Sequence, residues 1–171
     1  MASGGASAVA AGQDHTCAIV NARAKCWGAN QRFQLGLPDR APHGVAKNQM
    51  GDLLPYVGPA LPAQVWAIAA GGSHSCALSD GGTITCWGDN FYGQLGGPLA
   101  TPEGSISPAL SSFGAGAVSA GQAHTCLLST DGRVSCWGDN RFGQLGAGSA
   151  LPSITASETA SPPVIVDLGV G

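Results

Sequence analysis

The residues with most chemistry in this 171-residue chain are six Cys, four His and four Trp, and their spacing repeats. His15-Thr16-Cys17 is followed by Cys26-Trp27-Gly28, His74-Ser75-Cys76 by Cys86-Trp87-Gly88, and His124-Thr125-Cys126 by Cys136-Trp137-Gly138. All six Cys fall in this pattern, with only one His and one Trp outside it. Two chemistries suit such a set. A zinc site would use His15, Cys17 and Cys26, since residues i and i+2 share one face of a strand. Structural zinc takes four ligands, and each repeat offers three, so no metal is expected. The other chemistry is a disulfide. Outward from the turn Asp80–Gly82, Ser79 faces Thr83, Leu78 faces Ile84, Ala77 faces Thr85 and Cys76 faces Cys86. The same count sets Cys126 opposite Cys136, and Cys17 opposite Cys26 across Asn21-Ala22. Directly opposed residues have Cα atoms about 4.5–5.5 Å apart, within disulfide reach. One cross-strand disulfide per repeat is therefore expected, and with it an oxidising compartment: extracellular, cell-surface or similar. The alternative is six buried, reduced thiols acting as small apolar side chains.

Other catalytic signatures are missing from the sequence. It contains no phosphate-binding Gly-x-x-x-x-Gly-Lys-Ser/Thr loop, no His-Glu-x-x-His and no Gly-x-Ser-x-Gly. Asp89-Asn90 and Asp139-Asn140 supply too few carboxylates for calcium, and Ala29 replaces the Asp in the first copy. They read as turn residues bonded to loop backbone. Three equivalent histidines point to a role in the fold, with each ring bridging strands inside its own repeat, because a catalytic group is needed once. The chain is read as a non-enzyme with no cofactor and no catalytic residues.

The elements that hold these residues are short strands. His15–Val20 with Arg23–Gly28, His74–Ser79 with Thr83–Gly88, and His124–Ser129 with Arg133–Gly138 read as hairpins. Asp80-Gly81-Gly82 and Thr130-Asp131-Gly132 suit three-residue turns ending in a left-handed Gly, and Asn21-Ala22 a two-residue turn. An apolar run precedes each hairpin: Ala8–Ala11, Val65–Ala70 and Ala117–Ala120. A Pro-led run supplies a fourth, outer strand: Pro55–Val57, Pro108–Leu110 and Pro163–Val166. Nothing shows a 3.6-residue apolar period, so almost no helix is expected. Four strands at a pitch of roughly 40–50 residues mark propeller blades. The fold class expected is all-β, with β-propeller blades of four antiparallel strands in three blade-equivalents, forming a partial or oligomer-completed propeller. A sandwich with accidental symmetry is the alternative. The whole of 1–171 reads as one repeat domain, with repeats at about 8–58, 59–112 and 113–168. Each Pro-led run is assigned to the inner strand that follows it. The chain would then start one strand into a blade and end on an extra outer strand.

Composition narrows the function. The net charge is −3, with seven Lys and Arg scattered along the chain, so no nucleic-acid partner is expected. No run of 18 apolar residues exists, so no membrane span is expected, and the first residues do not read as a signal peptide. Hydrophobic residues reach 44% and Gly numbers 27, which fits short strands joined by tight turns.

Gly-x-x-His-x-Cys-x-Leu, followed by Cys-Trp-Gly-Asp-Asn-x-x-Gly-Gln-Leu-Gly, resembles the regulator-of-chromosome-condensation repeat family. Trp87 to Gly96 and Trp137 to Gly146 carry the likeness in full. The Cys-bearing variety is similar to repeats of bacterial and plant or algal surface proteins. The resemblance implies a β-propeller, commonly of seven blades. It also implies a binding role, because the family includes a guanine-nucleotide exchange factor, ubiquitin-ligase subunits, receptor ectodomains and a secreted enzyme inhibitor. The first copy departs from the pattern: Phe33 stands where the others have Gly93 and Gly143, so a distorted turn is expected there.

The function expected is a protein-interaction module or subunit that uses its propeller loops and open blade edges. Its partner would be another protein or further propeller blades, by self-association or in a larger complex. Exchange activity on a small GTPase, enzyme inhibition and carbohydrate binding are the alternatives, with Trp66 the only Trp outside the pattern. Specificity should lie outside the shared residues. Candidate interface positions are Arg32, Phe91, Tyr92, Arg141 and Phe142 in the loops, with Met50 and Tyr56 in an insertion between Leu37 and Leu61. That insertion also holds Arg40 and Lys47, read as solvated.

Overall fold

The computed structural model describes residues 5–58, 61, 64–97, 107–110, 114–148 and 164–169. Among them, three antiparallel sheets follow one another along the chain. The first contains β1 (Ala6–Ala11), β2 (His15–Val20) and β3 (Arg23–Gly28). The second contains β4 (Val65–Ala70), β5 (His74–Ser79), β6 (Thr83–Gly88) and β7 (Ser107–Leu110). The third contains β8 (Ala115–Ala120), β9 (His124–Ser129), β10 (Val134–Gly138) and β11 (Val164–Ile165). Helical structure in the described residues is limited to single 3-10 turns, such as Lys47–Gln49 and Gly51–Leu53. Pro163 and the repeat boundaries at 59 and 112 lie outside the described residues.

Hairpin register follows the count from the turns. Cys17 pairs with Cys26, Cys76 with Cys86, and Cys126 with Cys136. Each inner strand also carries an extra residue against its hairpin, between Ala6 and Ala8, Val65 and Ala67, and Ala115 and Ala117. Trp66 is the middle one of these three bulged residues, and the bulge leaves it 44% exposed.

The outer strands correct the expected offset. β7 pairs with β6 and β11 with β10, so each outer strand closes the hairpin before it. In the first blade the same role falls to Val57, whose N–H donates to the Ala24 carbonyl at 2.9 Å. Its counterpart is the bond from Val166 N–H to the Val134 carbonyl, also 2.9 Å. Each sheet is thus continuous in sequence.

Phe33 is a second correction. It takes φ 58°, close to the 79° and 77° of Gly93 and Gly143. Its N–H donates to the Asn30 carbonyl at 3.0 Å, as Gly93 does to Asn90. The turn keeps its shape despite the side chain, whose ring lies 4.7 Å from the Arg40 guanidinium. Arg40, read as merely solvated, stacks there.

Two apolar cores sit between the sheets rather than within one of them. Cys17, Ile19, Ala24 and Cys26 of the first blade meet Val65, Ala77 and Trp87 of the second. Cys76, Leu78, Ile84 and Cys86 of the second meet Ala115, Leu127 and Trp137 of the third. Strand alternation explains this: on each hairpin one face looks to the next blade and the other to the previous one. In the middle blade every residue of β5 is buried, whereas in β9 the burial alternates.

Candidate functional site

The repeat histidines build the joints between blades. His15 Nε2 lies 2.8 Å from Ser75 Oγ, and His74 Nε2 lies 2.9 Å from Thr125 Oγ1. Ser75 Oγ donates to the Gln34 carbonyl at 2.9 Å, and Thr125 Oγ1 to the Gln94 carbonyl at 2.8 Å. A hydroxyl has one proton. With that proton given to the carbonyl, its oxygen accepts from the imidazole, which assigns the proton to Nε2. The same two carbonyls accept the indole N–H of Trp87 (2.9 Å) and of Trp137 (3.0 Å). One Gln carbonyl therefore ties together three residues of the repeat pattern across a joint. The rings bridge neighbouring blades, which corrects their expected place within one blade.

Burial sets the charge of these rings. It lowers the pKa of His15 to about 4, with Asp14 opposing. It lowers that of His74 to about 3, helped by His15 and His124. His124 shifts in the same direction by burial, against Asp139. Nδ1 of His15 and of His74 is buried with no hydrogen-bond partner. The reason lies in the Gly that directly follows each inner strand. A Cβ on Gly12 would stand 2.6 Å from His15 Cε1, and 2.8 Å from its Nδ1. The ring lies directly on glycine backbone, and Gly71 and Gly121 hold the same place under His74 and His124.

Three disulfides join the hairpin arms: Cys17–Cys26, Cys76–Cys86 and Cys126–Cys136, each with Cα atoms 4.1 Å apart. No free Cys exists. The first two bonds sit inside the joints, and they are consistent with an oxidising compartment. Among the described residues no cluster of His, Cys, Asp and Glu is arranged to hold a metal. No helix of the described residues is long and apolar enough to cross a membrane.

A second constellation lies on the loops after each hairpin. Asn30, Asn90 and Asn140 each accept, through Oδ1, the N–H of the Leu five residues on, at 3.0 Å. Gln34, Gln94 and Gln144 accept through Oε1 the N–H of Arg32, Tyr92 and Phe142, at 2.9 Å. These amides, all buried except the half-buried Gln144, thus fix the loop backbone, with Arg32, Phe91, Arg141 and Phe142 between them exposed. Phe91 is 76% and Phe142 88% exposed. Phe91 packs edge-on to Tyr92, with ring centroids 4.9 Å apart. The Arg141 guanidinium of the next blade lies 4.6 Å from the Tyr92 centroid. Asp139 grips it from below, Nε to Oδ1 at 3.0 Å and Nη2 to Oδ2 at 3.0 Å. That hydrogen bonding holds the Asp139 carboxyl below the usual carboxylate range. Beside this row a cavity of about 210 Å³ opens between Tyr92, Asp89, Ser73, Gln13, Asp139 and Arg141.

Phe91, Tyr92 and Arg141 therefore stand in contact, Phe142 is exposed next to Arg141 in the chain, and Arg32 sits on the equivalent loop of the first blade. Tyr56 is placed elsewhere, half-buried beneath Arg23 (4.1 Å) and Lys25 (4.6 Å) of β3. Met50 is 38% exposed in the same insertion, whose Gly51 carbonyl accepts from Lys25 Nζ at 2.7 Å. The joint hydroxyls Ser75 and Thr125 were not among the residues singled out from the sequence. Their signal was present: a Ser or Thr follows every repeat histidine.

Comparison with known proteins places this geometry. Models of the Regulator of chromosome condensation (RCC1) repeat match residues 26–78, 67–94 and 117–144. A human protein described as probable E3 ubiquitin-protein ligase HERC4 is 36% identical over 91 residues, covering 52% of this chain and 8% of that protein. Human WBSCR16 superposes with a TM-score of 0.75 at 22% identity, over 98% of this chain and 42% of that one. Prp20p from Saccharomyces cerevisiae superposes with a TM-score of 0.66 at 20% identity, over 98% and 40%. The structure of Prp20p is described together with its binding to Gsp1p and histones. This chain spans less than half the length of each of these proteins. The blades are those of an RCC1-type β-propeller, of which the chain forms a part, and it belongs to the Regulator of chromosome condensation (RCC1) repeat family.

Proposed function

We propose that this chain is a non-catalytic protein-binding module whose recognition surface is the row Phe91, Tyr92, Arg141 and Phe142. The observation that carries this reading is the exposure of two Phe rings, 76% and 88%, on loops whose backbone is pinned by Asn and Gln side chains. Apolar rings held in water by a rigid frame are poor for solubility and good for recognition. Aromatic and Arg side chains are the usual anchors of protein interfaces. Arg141 is already paired with Asp139 and stacked on Tyr92, so its guanidinium plane is held with little ordering left to lose. Related propellers with described protein partners, such as Prp20p with Gsp1p and histones, support a binding role for the architecture. The disulfides support an extracellular or cell-surface setting.

The test is affinity capture from the surface and secreted protein fraction of the source cells. The native chain is compared with a Phe91→Ser/Phe142→Ser double variant. A protein retained by the native chain and lost about tenfold or more by the variant supports the reading. Equal retention by both contradicts it.

A further inference from the structure

We infer that the cavity between the second and third blades takes one Arg or Lys side chain of the bound protein, with the Asp89 carboxylate as its counter-ion. The inference rests on the protein-binding reading of the loop face and names the group which that face recognises.

The repeat itself supplies the precedent. Asp89 and Asp139 occupy the same place in successive copies, each directly after Trp-Gly. Each accepts from the side-chain amide of the Gln five residues on, Gln144 for Asp139 and Gln94 for Asp89, the latter at 2.9 Å. The two blades then differ by one side chain. Two residues past Asp139 stands Arg141, whose guanidinium takes both carboxylate oxygens. Two residues past Asp89 stands Phe91, which has no such donor. All seven Lys and Arg of the chain lie among the described residues, and none of them pairs with Asp89. This carboxylate is held as its equivalent is, and it lacks the cation that its equivalent holds. The first blade has Ala29 here, so the arrangement occurs once in the three copies.

The cavity beside Asp89 has the size and charge for that cation. Its volume of about 210 Å³ is several times the roughly 30 Å³ share of one water molecule, so a side-chain head group fits. Its walls come from Ser73, Asp89 and Tyr92 of the second blade and from Gln122, Asp139 and Arg141 of the third. Asp139 and Arg141 pair with each other, so the charge left on the lining is that of Asp89. An entering anion would face Asp89 with the Arg141 guanidinium already engaged. Gln94 is buried, and its Oε1 accepts the Tyr92 N–H while its amide holds Asp89. An entering cation therefore meets an acceptor already oriented, and a charge-assisted bond forms with little further ordering.

The rim identifies the cation as part of a protein. Phe91 packs edge-on to Tyr92 of the cavity wall, Phe142 is next to Arg141 in the chain, and both Phe rings are exposed. A small free cation would leave these rings in water. A basic side chain with apolar neighbours covers the rings and fills the cavity together.

The experiment titrates the full, isotope-labelled chain with a capped tripeptide, acetyl-Leu-Arg-Leu-amide, followed by nuclear magnetic resonance. The comparison peptides carry citrulline or Glu in place of Arg, and citrulline keeps the shape of Arg without its charge. With the Arg peptide, the amide signals of Ser73, Asp89, Tyr92 and Ala123 are expected to shift and to saturate at about millimolar concentration, the scale of a single anchor. The citrulline and Glu peptides should bind about tenfold more weakly, and Asp89→Asn should cost the Arg peptide a similar factor. Asn keeps the shape and still accepts from Gln94, and an unchanged amide spectrum away from the cavity checks the fold. Equal binding of the Arg and citrulline peptides overturns the inference, as does Arg binding that Asp89→Asn leaves unchanged. Shifts centred on Phe91 and Phe142 and equal for all three peptides overturn it too, while leaving the loop-face reading standing. No shift with any peptide up to about 10 mM also overturns it, and the capture experiment then judges the loop-face reading by itself.

Discussion

His15 Nε2 meets Ser75 Oγ at 2.8 Å across 60 residues of chain, joining the first blade to the second through a neutral imidazole. The bond is buried, and Ser75 passes it on to the Gln34 carbonyl. Ser75→Ala removes the middle of this relay and strands both an N–H and a carbonyl lone pair. A buried group left unpaired costs about 1–3 kcal/mol. Urea unfolding should show a loss of that size with an unchanged m-value.

Gly71 lies under the His74 ring, and a Cβ there would also meet the Gly121 carbonyl at 2.5 Å. Backbone on one side and a locked ring on the other leave no room to yield. Gly71→Ala should destabilise by roughly 2 kcal/mol or more, by overpacking. Gly116→Ala is the contrast: its nearest neighbour is the Leu128 carbonyl at 3.4 Å, and it is exposed. It should stay within about 0.5 kcal/mol of the native chain.

Stability should depend on pH through the joint histidines. Their folded pKa values are about 4 and about 3, below the ordinary 6.5. Between those values the unfolded chain binds protons that the folded chain refuses. The histidine contribution is complete above about pH 6.5 and is lost as pH falls towards 4 and then 3. Unfolding midpoints in denaturant, measured from pH 7.5 to 4, should fall over that window. A flat profile would show that the rings are solvated.

The disulfides can be counted and removed. Denaturation without reductant should expose no reactive thiol, and with reductant six. Converting Cys76 and Cys86 together to Ser should cost about 2–4 kcal/mol, the usual contribution of a short crosslink in a small domain.

Much of this was legible in the sequence where the physics is local. Strand period and turn length set the pairing of Cys76 with Cys86, because both are counted within one hairpin. The outer strands were assigned to the wrong neighbour. Pro55–Val57 lies closer in sequence to Val65 than to Arg23–Gly28, and sequence proximity suggested the pairing. In the fold the following inner strand belongs to the next sheet, and only the preceding hairpin offers a free edge to Val57, β7 and β11. The histidines were misplaced for a related reason. A partner 60 residues away leaves no mark on local periodicity, and only the repeated Ser or Thr after His hinted at it. Phe33 shows the reverse case, where the turn bonds made by Asn30 hold a ring at a φ that glycine prefers. The loop positions proposed for binding were named from residue types alone, and the Asn and Gln contacts that hold their backbone are visible only in three dimensions.

The joint chemistry underlies the whole account, and nuclear magnetic resonance of the imidazole nitrogens reads it directly. Long-range proton–nitrogen spectra at pH 7 should show His15 and His74 as neutral rings carrying the proton on Nε2, and they should remain so on acidification to about pH 5. Rings protonated on Nδ1, or titrating near 6.5 like free histidine, would contradict it.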